Sequence, residues 1–214
     1  MVELQKAYDA RVKKVNKIEK IKELKSPKEA WDKLEKYAQD GYESIPDEDK
    51  KYFLKCFGIY DRPATPKKFM IKLRIPGGHL NSVQARAIGE VSREYGEDYI
   101  DLTTRCQVEL RYLKIEDIPA LLNKLKNVGI DSYQTGVDNI RNILNDPLDG
   151  MSFDNVLPSQ KLLLKLQSTF LYDAEWISTL PRKFNTAITG SFSNRCNIFG
   201  HDCCFALAQT QPMY

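Results

Sequence analysis

Residues 69–78 read FMIKLRIPGG, and the alternation inside that run sets the fold class. Side chains on a strand alternate faces, so Phe69, Ile71, Leu73 and Ile75 share one face and Met70, Lys72 and Arg74 the other. Pro76-Gly77-Gly78 stops the strand. Asn81, with Gln84 three residues on, is a capping pattern; Val83, Ala87, Val91 and Tyr95 then face inward until Gly96 ends the helix. YIDLT (99–103) and QVELRYL (107–113) read as two more strands, with Arg105 either on a hairpin tip or at a break in one long strand. IEDIPALLNKLKNVG (115–129) is a helix with Ile118, Leu121, Leu122, Leu125 and Val128 inward, closed by Gly129. The order strand–helix–strand–strand–helix predicts one half of a ferredoxin-like α+β sandwich, with a sheet edge left for a partner half.

Upstream, residues 6–24 carry Tyr8, Val12, Val15, Ile18 and Ile21 at helical spacing. Ser26-Pro27-Lys28-Glu29 is a helix start, followed by the apolar stripe Trp31, Leu34, Tyr37 and Ala38 and the stop Gly41. A third helix is expected from Pro46 to about Phe57, and Pro63 and Pro66 mark a linker. This part reads as a helical arm around the body, with little catalytic equipment. Downstream, SYQTGVDNIRNILNDPLDGM (132–151) is rich in Asn, Asp and Gly, the texture of loops that carry function. LPSQKLLLKLQSTFLY (157–172) predicts a helix with Leu162, Leu163, Leu166 and Phe170 inward. LPRKFNTAITGS (180–191) predicts a strand from Lys183 that places Lys183 and Asn185 on one face. RCNIFGHDCCFALAQ (195–209) adds a turn and a strand, and QTQPMY carries no closing element.

Composition bounds the answer. The chain has 214 residues, 42% hydrophobic and 29% charged, with a formal net charge of +3, which is globular and too weakly basic for a nucleic-acid field. Lys13-Lys14, Lys50-Lys51 and Lys67-Lys68 are interleaved with acids, as on a solvated helix face. No apolar run reaches the roughly 18 residues of a membrane span, and MVELQKAYDA lacks a signal-peptide core. Five cysteines without scaffold spacing point to a reducing, cytoplasmic compartment.

Two constellations carry chemistry. Arg105, Arg141 and Lys183, with Arg74, Arg111 and Arg182 as further candidates, lie at strand ends or in loops; if they converge, they hold a carboxylate, a phosphate or a small oxyanion. If they do not, each is a surface charge worth little. Cys196, His201, Cys203 and Cys204 have metal-ligand chemistry, but adjacent cysteines on a strand point to opposite faces, so buried thiols and a structural turn histidine are the preferred reading and no metal site is assigned. The sequence has no Walker loop, G-x-G-x-x-G, G-x-S-x-G or H-E-x-x-H, and IPGGHL is only a weak phosphate-loop lookalike.

Several stretches together resemble the N-terminal half of siroheme-dependent nitrite and sulfite reductases: FMIKLRIPGG, YIDLTTR with VELR, QTGVDNIRN with NDPLDGM, and LPRKFNTAITGS with HDCCFALA. They follow the family's order over residues 69 to about 208. The resemblance implies a helical arm (1–63), a ferredoxin-like half-domain (64–131) and the start of a siroheme-binding α/β domain, incomplete (132–214). It implies the six-electron reduction of nitrite to ammonia by an assimilatory enzyme, at a siroheme bridged to a four-iron four-sulfur cluster, with ferredoxin as the common electron donor. Arg105 stands for the arginine of the family's T-T-R motif, Arg141 for that of D-N-x-R-N and Lys183 for the lysine of P-R-K; with Asn185 they would surround the siroheme's distal face, bind the anionic substrate and deliver protons. Arg74 and Arg111 are expected to neutralise the macrocycle's carboxylates. Asparagine at 185 goes with nitrite, where a second lysine goes with many sulfite reductases; sulfite reduction to sulfide is the alternative.

The sequence also departs from that pattern. Cys106 stands where the family usually has glutamine, and the cluster ligands C-x5-C and C-x3-C are missing, so the expected partner is the C-terminal half of the same enzyme. The chain is expected to be inactive alone, without siroheme bands, and prone to aggregate along its sheet edge. The reading from another class is a non-catalytic anion-binding or interaction module.

Overall fold

The structure, a computed structural model, describes residues 17–208. The expected first helix is seen as α1 (Lys17–Lys22), and its residues 6–16 lie outside the described residues. Ser26 and Glu29 form the expected capping box on α2 (Pro27–Asp32). The single helix expected there breaks at Lys33 (φ −91°, ψ 1°) and resumes as α3 (Leu34–Asp40), which ends at Gly41 with φ +84°. A π-helical turn, Asp49–Phe53, runs into α4 (Leu54–Cys56).

The stretch before the prolines, expected to be part of the helical arm, also contains a strand. Ile59–Asp61 forms β1, paired antiparallel to β2 (Phe69–Lys72) through Ile59–Ile71. β3 (Ile100–Leu102) and β4 (Val108–Leu113) complete an antiparallel sheet of order β1-β2-β4-β3. Helices α5 (Ser82–Tyr95) and α6 (Ile118–Lys126) pack on one another, and the expected Asn81–Gln84 capping box starts α5. One core joins the arm to the sheet: Phe53, Leu54, Phe57, Ile59, Ile71, Leu73, Leu110, Leu113, Leu121 and Leu125 are all fully buried in one cluster. Each such side chain stabilises the fold by roughly 1.5–3 kcal/mol through burial. Because β1 covers β2, the sheet's edges are two three-residue strands, β1 and β3, too short to template much pairing.

Beyond Asp131 the layout changes. β5 (Leu144–Asn145), β6 (Thr186–Thr189) and β7 (Cys203–Ala206) form a parallel sheet of that order. Helix α7 (Gln160–Gln167) crosses between β5 and β6. Its Leu163 and the following Phe170 are buried as expected, but Leu162 is 50% exposed and does not face inward. Two small clusters hold this part: Ile143, Leu163, Phe170 and Ile188, and Leu144, Ala187 and Ile198. The strand expected from Lys183 joins the ladder only at Thr186; Phe184 makes a separate parallel bridge to Ile140. The cysteines expected to be buried are not: Cys203 is half-buried and Cys204 exposed, because β7 is an edge strand with one side uncovered. His201 is a turn residue, as expected, its Nδ1 lying 3.1 Å from the Ile198 carbonyl oxygen.

Candidate functional site

The loop 132–143 is the frame on which the site is built. Two buried asparagines of D-N-I-R-N fix it. Asn139 donates to the carbonyls of Cys56 (3.1 Å) and Gly136 (2.8 Å) and accepts from the Ser178 amide (2.7 Å), tying the loop to the arm and to the segment before Lys183. Asn142 donates to the carbonyls of Ile75 (2.7 Å) and Arg105 (3.0 Å), tying the loop to the exit of β2 and to the β3–β4 turn. Arg141 lies between these clamps. Gly136 lets the loop approach the arm, since a Cβ there would lie 1.7 Å from the Lys55 carbonyl oxygen.

Arg74 holds the same loop from beneath. It is 3% exposed, and its five N–H groups go to the carbonyls of Tyr133 (3.1 Å), Gln134 (2.7 Å), Ile140 (2.9 Å) and Arg141 (3.3 Å) and to Gln167 Oε1 (3.5 Å). Burial pushes its guanidinium down to about 10, partly offset by Asp131, so it stays charged at neutral pH. With every donor committed, Arg74 has none for a macrocycle's carboxylate, and the expected rim role gives way to holding the Arg141 loop. Arg111 is elsewhere too. It sits on the sheet's outer face, its Nε 2.5 Å from Asp101 Oδ2 and its Nη2 2.9 Å from Glu109 Oε2, neutralised by its own neighbours.

Of the remaining expected residues, Arg141, Arg182 and Lys183 meet, and Arg105 and Asn185 lie outside their groove. The Arg141 amide donates to the Phe184 carbonyl (2.9 Å) and the Phe184 amide to the Asn139 carbonyl (3.0 Å), so this short parallel pairing sets Lys183 beside Arg141. Arg141, Arg182 and Lys183 line one groove of about 400 Å³ together with Lys51, Tyr52 and Lys55 of the arm and Asp138 of the loop itself. Arg141 Nε and Nη1 donate to the carbonyls of Val137 and Thr135, both at 2.9 Å, which fixes its direction.

Arg105 sits on a hairpin tip rather than at a strand break: Thr103 N–H donates to the Gln107 carbonyl (2.9 Å), and Cys106 turns the chain at φ +52°. Arg105 does not line the groove, but it lies within electrostatic reach of Arg141. Burial lowers its guanidinium, Arg141 lowers it further, and Asp202 opposes both. Asp202 in turn accepts from the Asn185 amide (2.8 Å). Arg105 Nη1 and Asn185 Oδ1 are both buried without a partner. A buried donor and a buried acceptor left open cost free energy unless a ligand satisfies them. Cys106 packs against the Leu144, Ala187 and Ile198 cluster. Gly78 (φ +77°) must lack a side chain there, since its Cβ would lie 2.9 Å from that of Cys106.

Residues 62–128 match the nitrite/sulfite reductase ferredoxin-like half domain. A ferredoxin–nitrite reductase of Leptolyngbya laminosa is 37% identical over 179 residues, covering 82% of this chain. The chain belongs to the nitrite/sulfite reductase family. A ferredoxin–nitrite reductase of Synechococcus elongatus is 38% identical over 83% of the chain. The solved structure of the Mycobacterium tuberculosis NirA protein superimposes with a TM-score of 0.81 at 26% identity, over 90% of this chain and 38% of that one. The chain spans 35% of the length of either of the first two reductases.

Two features of this family member escaped sequence reasoning. Lys51 lies on a solvated face, as expected of Lys50-Lys51, and also lines the groove with Lys55, for which the sequence carried no expectation; their spacing of four was the available signal. The asparagines flanking Arg141 looked like loop composition and are the loop's fasteners.

Proposed function

We propose that this chain is the substrate- and siroheme-side part of a nitrite reductase, in which Arg105, Arg141, Lys183 and Asn185 bind the anion being reduced. The observation that carries it is the pairing of Ile140 with Phe184, which brings Lys183 and Arg141 to one groove, while Asn142 ties the Arg105 backbone to the same loop at 3.0 Å. Residues 132–208 are then the beginning of a siroheme-binding domain and residues 64–131 the half-domain that carries Arg105, with the helical arm before them.

Siroheme fits the donors present. The open Arg105 Nη1 and the groove cations are what an octacarboxylate ring and an oxyanion above it require. When bound, siroheme supplies the electron chemistry. Arg141, its direction fixed by two carbonyls, offers its remaining N–H groups to an oxygen of the substrate. Lys183, exposed beside it, holds a second oxygen and can give up a proton, which a guanidinium hardly can. Fixed cations offset the repulsion between an electron-rich centre and an anion, and they stabilise oxygen as it leaves. The iron–sulfur cluster has no fitting donor set here: no three His, Cys, Asp or Glu side chains gather among the described residues, so its ligands belong to the C-terminal half. Ferredoxin is the proposed donor of electrons.

The test is co-expression of the chain with the C-terminal segment of a related ferredoxin–nitrite reductase. The expected result is siroheme absorption bands and nitrite reduction exceeding sulfite reduction, with Lys183→Gln lowering turnover more than cofactor content. Absent bands would overturn the assignment, and unchanged turnover in the variant would remove Lys183 from it.

A further inference from the structure

The groove has a wall that the family motifs do not supply. Lys51 and Lys55 come from the helical arm and line the same groove as Arg141, Arg182 and Lys183. Its one acid, Asp138, is already engaged by Lys22 at 2.8 Å and by the Tyr52 hydroxyl at 3.0 Å. Lys51 is taken by Asp47 at 2.6 Å. Among the described residues, Lys55, Arg182 and Lys183 have no carboxylate within ion-pair distance. Lys55 is half-buried over the Tyr60 ring, 6.0 Å from its centroid. Burial lowers its ammonium, Asp61 offsets this in part, and Arg62 adds to it. A half-buried ammonium that shares a groove with Arg141, Arg182 and Lys183 and has no ion-pair partner is stabilised by an anion that joins them.

We propose that Lys55, carried by the helical arm, is an anion-binding residue of this groove, holding a carboxylate or oxyanion together with Arg141 and Lys183. This rests on the reading that Arg141 and Lys183 bind an anion, and it adds the arm to the site. The Gly136 contact with the Lys55 carbonyl fixes the backbone of Lys55 against the Arg141 loop, so the ammonium is presented from a rigid support. The shared chemistry is a carboxylate or oxyanion, from the rim of the macrocycle or from the free substrate.

The chain co-expressed with the C-terminal segment and prepared free of siroheme is titrated calorimetrically with two probes, a metal-free octacarboxylate tetrapyrrole and sodium nitrite, and the variants Lys55→Gln, Lys55→Arg, Arg141→Gln, Lys183→Gln and the remote Lys124→Gln are compared. Lys55→Gln is expected to weaken binding about tenfold, the scale of one charge-assisted contact. Lys55→Arg should stay near wild type and Lys124→Gln should be silent. A loss confined to the macrocycle assigns Lys55 to the rim; a loss with nitrite assigns it to the substrate. If Arg141→Gln and Lys183→Gln weaken binding while Lys55→Gln does not, the Lys55 assignment is overturned and the site stands. If the wild-type chain binds neither probe, both fall. Thermal melting of each variant separates lost contact from lost fold, and a Lys55→Gln loss restored in Lys55→Arg excludes a packing effect.

Discussion

The antiparallel sheet and the parallel sheet of this molecule differ in how they are covered. The first carries α5 and α6 and shares its core with the arm, so β2 and β4 are buried almost throughout. The second has β6 buried along its length, while β7, beside it, leaves Cys204, Phe205 and Ala206 exposed. Parallel sheets are ordinarily covered on both faces. An apolar trough of about 220 Å³, lined by Leu162, Leu166, Ile188 and Phe205, lies open between α7 and β7. Polar clamps supplement the two small apolar clusters that hold this part in place: Asn139, Asn142, Arg74 and Asp149. The first region is held by one large buried core, and the second by small apolar clusters joined by hydrogen bonds.

The largest effects should separate the two. Phe57→Ala, in the shared core, is expected to cost about 3–5 kcal/mol, and Phe205→Ala, on the open strand, under about 1 kcal/mol, read by urea unfolding. Equal losses would erase the distinction. Next come the two arginines. Arg74→Met strands four carbonyls of the 133–141 loop and should cost about 3 kcal/mol, whereas Arg111→Met breaks a partly exposed ion-pair cluster worth about 1 kcal/mol or less. If Arg111 proved the costlier loss, the assignment of Arg74 to the loop would be wrong.

A smaller effect sharpens the picture by pH. Asp149 accepts from the amides of Ser159, at 3.0 Å to each oxygen, and Gln160, at 3.2 Å, at the start of α7. Burial pushes its carboxyl up, but the hydrogen bonds from Ser159 and its neighbours outweigh that and hold it below the ordinary range. Its stabilisation is therefore complete above the unfolded value near 3.9 and is lost as pH falls through the folded value. Amide exchange in α7 should accelerate below about pH 4 before that of β2 and β4, and Asp149→Asn should cost about 1–2 kcal/mol at neutral pH while abolishing the pH step. Simultaneous acceleration in both regions would contradict a clamp local to α7. Smallest in stability, Leu162→Lys should be nearly neutral for folding and reduce self-association in sedimentation, since it charges the open trough.

The legibility of the sequence follows the same division. In the burial-driven region, alternation at 69–75 and helical spacing at 82–95 and 118–126 recovered strands, helices and both capping boxes, because burial imposes period on sequence. What was missed there was β1, three residues too short to show alternation. In the second region periodicity says little. Leu162 was misassigned because a leucine-rich helix on a partly open sheet shows no clear inner face. Arg74 was grouped with the site cations because nothing in a linear pattern distinguishes a guanidinium bonded to five acceptors from a free one. Arg141 and Lys183 were found as motif residues; their adjacency depends on the bridge between 140 and 184, far apart along the chain.

The central claim is that Arg105, Arg141 and Lys183 answer to one anion. Following their side-chain 15N resonances during a single titration of the chain, co-expressed with the C-terminal segment and free of siroheme, with the metal-free octacarboxylate tetrapyrrole tests it most directly. The account predicts that all three shift together with one dissociation constant, while Arg74 and Arg111 stay still. Shifts in only one of the three, or three unrelated constants, would contradict it.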